Sequence, residues 1–477
     1  MSGAGCGAGC GTRCAADTPS GPVPIQLGRR PVSGGAVPWY HLLAGDPPLV
    51  LLVANSAVFE VAPEFFDQLA AGEPGAVSEL AAVGRSASSV VGSGFDEVGP
   101  LPAPRAISLN VAQACNLACA YCYADEGRFG GSARRMSQAV ARQAVDALLA
   151  GAVPGERVLV GFIGGEPLLN RAVMHDTVAY ASTQADARSV AVAFSVTTNG
   201  TLVEAADIEL FRSNPFAVTV SLDGDAVTHD RHRRGHDGRG SWARAIQRLR
   251  PLLDAPGQAR LTARATVTRE DLDVARRVAA LAAVGFSEVG VSPARTGPNP
   301  GLLLRGSDWV GYLCGLVEAG EAELARLRRS GSSGGWLFSN LGIALSEIHR
   351  GAARPLPCGA GYGYVSVDVT GAYATCHRTV GDPRFHLGTA GALSDVARRE
   401  FLEPRLVDRQ EPCRSCWARY LCGGGCHAEV AQVGRESCDA IRGWLEYCLR
   451  RYPLIHAEFP QLFRDASVVT SEEVLAT

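Results

Sequence analysis

The sequence predicts an α/β protein: a partial (β/α)6 barrel, a small domain before it and a cysteine-rich domain after it. Residues 105 to about 300 alternate strand-like and helix-like segments, the pattern of a parallel sheet with right-handed crossovers. The first 37 residues are rich in Gly, Ala, Pro and Ser and read as a disordered tail. Beyond Pro357 the cysteines become dense, which marks a separate module.

A chain of 477 residues calls for several domains, and 47% apolar residues is ordinary for a folded protein. The net charge of −3 gives no pull toward nucleic acid or an anionic membrane, and all 45 basic side chains are arginine. No apolar run reaches the ~18–20 residues of a membrane span, and the N-terminus lacks a secretory apolar core, so a cytoplasmic protein is expected. There, fifteen cysteines favour metal or redox chemistry over disulfides. Cys6, Cys10 and Cys14 recur evenly in the tail without polar neighbours to support a metal.

Residues 38–100 open with two strand-like stretches, Trp39–Leu43 and Leu49–Val61, around the turn Gly45-Asp46-Pro47-Pro48. Helical periodicity follows, with Phe65, Phe66, Leu69 and Ala70 on one face and Val77, Leu80 and Ala81 on a second. Residues 101–330 supply six strand candidates: Ile107–Val111, Val158–Ile163, Ala191–Thr197, Ala217–Ser221, Leu261–Val267 and Val289–Ser292. Helix candidates are Ser137–Ala150, Ser241–Leu253 and Asp271–Val284. In such a barrel the chemistry sits at the C-terminal strand ends. The Gly/Ser-rich stretch Ser330–Gly335 leads into the last domain, 331–477.

Just after the first strand stand Cys115, Cys119 and Cys122, spaced C-x3-C-x2-C. Three thiolates suit three irons of a 4Fe–4S cubane. No further cysteine occurs in the next hundred residues, which leaves the fourth iron open to a ligand such as S-adenosyl-L-methionine (SAM). A zinc half-site is the other reading. The loop, with aromatic Tyr121 before its third cysteine, strongly resembles the radical SAM superfamily. Gly164-Gly165-Glu166-Pro167, Thr198-Asn199-Gly200-Thr201 and Ser221-Leu222-Asp223-Gly224 follow in that family's order at successive strand ends. The resemblance implies that Tyr121 lies near the adenine. It further implies that Gly164, Gly165 and Glu166 receive the SAM ammonium and that Asn199 and Ser221 line the pocket. Arg233 and Arg264 are both candidates for the SAM carboxylate, which favours a bidentate arginine.

Cys358 and Cys376 frame Gly371, and Cys413, Cys416, Cys422, Cys426 and Cys438 follow. This spacing resembles the SPASM module, which carries two auxiliary 4Fe–4S clusters; a pair of zinc sites is the alternative. The resemblance assigns Cys413, Cys416, Cys422 and Cys438 to an outer cluster. It assigns Cys358, Cys376 and Cys426 to an inner one, whose fourth position stays open to a substrate thiolate, water, a backbone group or an acidic side chain. Cys448 competes with Cys438 for the last place but has the helical spacing of a core residue, as does Cys314.

SPASM enzymes mostly modify ribosomally made peptides or proteins. The segments after Cys122, Pro357 and Cys376 resemble the thioether-forming branch, which includes quinohemoprotein amine dehydrogenase maturation proteins and cysteine-rich peptide maturases. That implies three 4Fe–4S clusters, SAM, a leader-bearing peptide or small protein substrate, and a reductant such as flavodoxin or ferredoxin. The N-terminal hairpin then resembles a winged-helix-like element that reads a leader peptide by strand addition, or else is a plain cap on the barrel. Asp223 and Asp225, at a strand end, are candidate bases for the substrate thiol, or turn and cap residues. Other SPASM chemistries remain: carbon–carbon crosslinking, epimerisation, and oxidation of a sulfatase Cys or Ser to formylglycine. Outside enzymes, an iron–sulfur electron carrier has no use for a SAM pocket, and a zinc-ribbon nucleic-acid binder is disfavoured by the acidic charge.

Overall fold

The computed structural model describes residues 37–87, 97–330, 335–389 and 391–463. The tail, with Cys6, Cys10 and Cys14, lies outside the described residues.

The N-terminal strands are three, not two: β1 (Tyr40–Leu43), β2 (Leu49–Leu52) and β3 (Ala57–Glu60), antiparallel in that order. The stretch Leu49–Val61 folds back because Asn55 and Ser56 make a turn. Ser56 adopts φ 52°, Asn55 Oδ1 accepts the Ala57 N–H at 3.2 Å, and the Ser56 hydroxyl donates to the Ala352 carbonyl at 2.6 Å. β2 is buried on both faces. Leu49 and Leu51 join the main core, while Val50 and Leu52 pack with Leu69, Ala76 and Leu80 of the helices Pro63–Ala71 and Pro74–Ala87. Each fully buried leucine contributes about 2 kcal/mol, so this domain is held on the body of the protein by its own central strand. Ala70 is exposed, which narrows the expected helical face to Phe65 and Leu69.

Six parallel strands form the barrel wall in sequence order: β4 (Ala106–Ala112), β5 (Arg157–Gly164), β6 (Ala191–Thr198), β7 (Phe216–Ser221), β8 (Arg260–Val267) and β9 (Glu288–Pro293). On β7 and β8 the buried positions Val218, Val220, Leu261, Ala263 and Ala265 alternate with half-buried Thr219, Ser221, Thr262, Arg264 and Thr266. The apolar set meets the surrounding helices, and the small and polar set faces the other way. Helix Gln138–Ala150 begins at Ser137, whose side chain accepts from the Val140 N–H. The helix expected from Asp271 starts at Val274, because the Asp273 carboxylate caps it by accepting the Arg276 N–H at 2.9 Å.

The C-terminal region extends the same sheet. β10 (Tyr364–Val367) pairs parallel with β4, placing Val365 opposite Ile107. β11 (Tyr373–Ala374), β12 (His386–Thr389) and β13 (Ala392–Leu393) continue it antiparallel. The opposite edge is covered: the Val289 N–H donates to the Leu337 carbonyl at 2.7 Å and the Val291 N–H to Asn340 Oδ1 at 2.8 Å. Helices Asp308–Ser330, Ser339–His349 and Cys438–Glu458 pack together outside that edge. Among the described residues no helix is long and apolar enough to cross a membrane.

Candidate functional site

Cys115, Cys119 and Cys122 sit on the loop after β4, within electrostatic reach of one another. The loop is fastened from two sides. From below, the Gly165 and Glu166 N–H groups donate to the Ala112 and Ala114 carbonyls, both at 2.9 Å. From the side, the Ala118 and Ala120 N–H groups donate to the Arg234 and His232 carbonyls at 2.8 and 3.0 Å. A Cβ on Gly165 would meet the Ala114 oxygen at 2.2 Å, and one on Gly164 (φ 151°) the Ala112 oxygen at 2.3 Å. Only glycine permits this approach. Gly127, in the segment after Cys122, has φ 85°, and a Cβ there would stand 2.3 Å from Gly165 Cα, so the loop's return also needs a bare backbone.

Glu166 is fully buried and binds the third strand end to this turn. Its carboxylate accepts from the Thr198 hydroxyl at 2.7 Å, the Asn199 N–H at 2.8 Å and the Leu168 N–H at 3.1 Å. Burial pushes its carboxyl up to about 7 against these donors. Asn199 Nδ2 donates to Asn116 Oδ1 at 2.9 Å and points at Cys115 Sγ, 3.8 Å away. Ser221 ends β7, in register with Arg264 of β8.

Arg233 lies against the cysteine loop. Its Nη1 is 3.9 Å from Cys119 Sγ, its guanidinium covers the Tyr121 ring at 5.4 Å, and its Nε pairs with Asp223 at 3.2 Å. Tyr121 donates its hydroxyl to Asp223, and the Thr266 N–H donates to the same carboxylate at 2.9 Å. Burial works against the Asp223 charge, but Arg233, His229 and these donors hold its carboxyl below the usual range. Asp225 lies apart from this network. It caps helix Ala226–His232 by accepting the Thr228 N–H at 2.8 Å, and it pairs with Arg276 at 2.9 Å. Arg264 reaches over Gly290 on the neighbouring strand, into a separate cavity.

The downstream thiols fall into two sets. Cys358 feels Cys376 and Cys426; Cys413 feels Cys422, Cys438 and Cys416. Gly371 (φ 90°) makes the tight turn from β10 to β11 that presents Cys376, its N–H donating to the Asp368 carbonyl at 3.0 Å. Cys422 and Cys426 belong to different sets, joined by Gly423, Gly424 and Gly425 with φ 71°, 93° and 78°. A Cβ on Gly423 would fall 2.5 Å from Leu356 O and Pro357 Cα, the approach to Cys358. This three-glycine run and Arg405, which feels Cys413, Cys426 and Cys358, escaped the sequence reading, although GGG between two spaced cysteines was a visible signal. Cys448 is packed in the core with no exposure.

Tyr123 spans the gap between the two regions. It feels Cys122 on one side and Cys376 and Cys426 on the other, and Arg378 lies over its ring at 4.7 Å. Among the described residues no three His, Cys, Asp or Glu side chains close on one point as ligands of a single ion do. The thiols are grouped by threes and fours, with amide N–H groups and arginines toward the sulfurs, a donor set that suits iron–sulfur clusters.

A sequence profile described as the radical SAM superfamily matches residues 109–279. The serine-type anaerobic sulfatase-maturating enzyme of Klebsiella aerogenes is 32% identical over 139 residues, 29% of this chain. The chain spans only about a third of that relative, 34% of its length. Mycofactocin maturase MftC of Mycolicibacterium smegmatis is 29% identical over 361 residues, covering 72% of this chain and 84% of that one. Among solved structures, native anSMEcpe with bound AdoMet superposes with a TM-score of 0.61 at 17% identity, over 77% of this chain and 100% of that one. The fold is therefore the partial barrel of that structure, with a cysteine-rich region after it. The radical SAM profile thus matches the stretch that carries the first cysteine loop and most of the parallel strands β4 to β8.

Proposed function

We propose that this chain is a radical SAM/SPASM maturase that installs thioether crosslinks, cysteine sulfur to carbon, in a leader-bearing ribosomal peptide or small protein. The observation that carries this reading is the grouping of ten thiols. Three stand at the barrel mouth; the seven downstream ones split into a four and a three, and the three lies beside the barrel-mouth set across Tyr123. Cys115, Cys119 and Cys122 would hold one 4Fe–4S cluster, Cys358, Cys376 and Cys426 an inner one, and Cys413, Cys416, Cys422 and Cys438 an outer one. With SAM bound, the first cluster supplies a 5′-deoxyadenosyl radical for hydrogen abstraction.

The chain's own residues shape that site. Gly164, Gly165 and Glu166 hold the turn under the loop, and Asn199 and Ser221 line the pocket at their strand ends. Of the two candidate arginines, Arg233 is the one beside the cysteine loop and the better holder of the SAM carboxylate. Asp223 then positions Tyr121 and Arg233; an ion-paired carboxylate below its usual range is a poor proton acceptor. Among the described residues β3 pairs with β2 alone, which offers an edge to an added leader strand, as a winged-helix-like reader does. A cytoplasmic flavodoxin or ferredoxin would supply electrons.

The enzyme class is tested anaerobically: about twelve irons should load on the three-cubane count, and reductant with SAM should yield 5′-deoxyadenosine. No nucleoside from a fully loaded protein would sink the reading. The thioether is tested by co-expression with a leader peptide bearing cysteine. Each crosslink removes two hydrogens and one alkylable thiol. The sulfatase-maturating relatives favour a second reading, formylglycine formation, in which a serine also loses two hydrogens but leaves a hydrazide-reactive aldehyde.

A further inference from the structure

Between the β8–β9 edge of the barrel and helix Cys438–Glu458 lies a cavity of about 310 Å3. Its walls are largely apolar, with Trp309, Tyr312 and Trp444 among them. Three arginines line it as well, Arg264, Arg295 and Arg354, against the single carboxylate Glu347. Glu347 is already bound to Arg350 and stands 3.6 Å from Arg354. Arg295 is paired with Glu429, and Arg354 donates to the Leu421 carbonyl.

Arg264 is the exception. Among the described residues no carboxylate forms an ion pair with it; Glu288 and Tyr312 act on it only at longer range, and burial outweighs them to hold its pKa below the ordinary arginine value. Its position is built in: a Cβ at Gly290 would stand 2.4 Å from Arg264 Nη1, so the missing side chain makes room for the guanidinium. A guanidinium kept among aromatic walls with no carboxylate at pairing distance is costly, and a carboxylate matches its two-pronged donor face. No residue gathered round the first cysteine loop lines this cavity, and the guanidinium leans toward β9, away from Ser221 on β7.

We infer that this cavity seats a carboxylate of the peptide substrate, an Asp or Glu side chain or the C-terminus, with Arg264 as its partner. The inference rests on the peptide-maturase reading. Cys422 also lines the cavity, so a peptide anchored here passes beside the outer thiol set.

The test uses the iron-loaded full chain and three probes titrated calorimetrically: acetyl-Leu-Asp-amide, acetyl-Leu-Asn-amide, and acetyl-Leu-Leu with a free C-terminal carboxylate. At least one carboxylate probe should bind about tenfold or more tighter than the Asn probe, and which one does so distinguishes side chain from C-terminus. Arg264→Met should erase the difference, and Arg264→Lys, which keeps the charge without the fork, should fall between. Equal affinity for all probes, or no binding, overturns the inference. So does an Arg264→Met protein that loses SAM affinity while still preferring the carboxylate probe. If the Met variant fails to load iron, the Asp-against-Asn contrast in the unaltered protein decides. 5′-Deoxyadenosine is measured in the same preparation. Its absence alongside normal discrimination counts against the radical reading, and its presence with no discrimination counts against the cavity.

Discussion

The two cysteine regions are built by opposite means. The first set comes from eight consecutive residues, and the fold has only to hold one loop still. It does so with backbone hydrogen bonds to the β5 turn and to residues 232–235, and with glycines that let main chains touch. The second region gathers thiols spread over residues 358–438, and no local segment holds either set. β10 must add to β4, the Gly371 turn must close, and Gly423 to Gly425 must carry the chain from one set to the other. A contiguous loop stabilised by strand ends tolerates change elsewhere; a site assembled from distant segments depends on domain packing.

Substitutions should separate the two regions, and the largest effect is expected at the sulfurs. Cys115→Ala should abolish 5′-deoxyadenosine formation, a fall of about a thousandfold or more on the scale of lost catalytic groups. Cys413→Ala should retain uncoupled nucleoside but lose peptide product; chromatography of nucleoside and peptide distinguishes them, and equal loss of nucleoside in both would erase the contrast. Next comes Asp223→Asn, which leaves Arg233 buried without its partner and should cost about 3 kcal/mol in denaturant unfolding. Because the Asp223 pKa is depressed on folding, its contribution is present above the unfolded carboxylate pKa of about 3.9 and lost as pH falls through the lower folded value. The acid limb of the stability profile should therefore flatten in the variant. Gly165→Ala places a methyl against the Ala114 carbonyl and should cost about 2 kcal/mol, with iron lost from the first set alone, as site-resolved electron paramagnetic resonance would show. Smallest is Asp225→Asn. Asn caps helices as well as Asp, and an exposed pair with Arg276 is worth under about 1 kcal/mol. A large loss of nucleoside there would return Asp225 to the chemistry.

Much of the barrel was legible because its strands alternate or run apolar at the length a parallel sheet requires, and Ser137 and Asp273 mark helix starts by side-chain capping. The misreadings have local causes. Leu49–Val61 looked like one strand because the Asn55–Ser56 turn lacks glycine or proline, and its closure depends on Ala352, far along the chain. Arg233, at the end of helix Ala226–His232, and Arg264, within β8, stayed equal candidates because spacing along the chain does not show which of them meets the cysteine loop. Their difference lies in their neighbours: Gly290 leaves room for one guanidinium beside β9, while Asp223 and Tyr121 hold the other at the loop.

By itself the sequence determined the chemistry that is local in the chain. Thiol spacing, the glycines beside them and strand periodicity are properties of adjacent residues, where backbone geometry leaves little choice. Only the tertiary structure decided which distant groups meet. It put Tyr123 between two thiol sets, fastened the N-terminal sheet through β2, and left one arginine in a cavity without a carboxylate partner. Those outcomes depend on the packing of whole strands and helices, and periodicity along the chain carries no record of that.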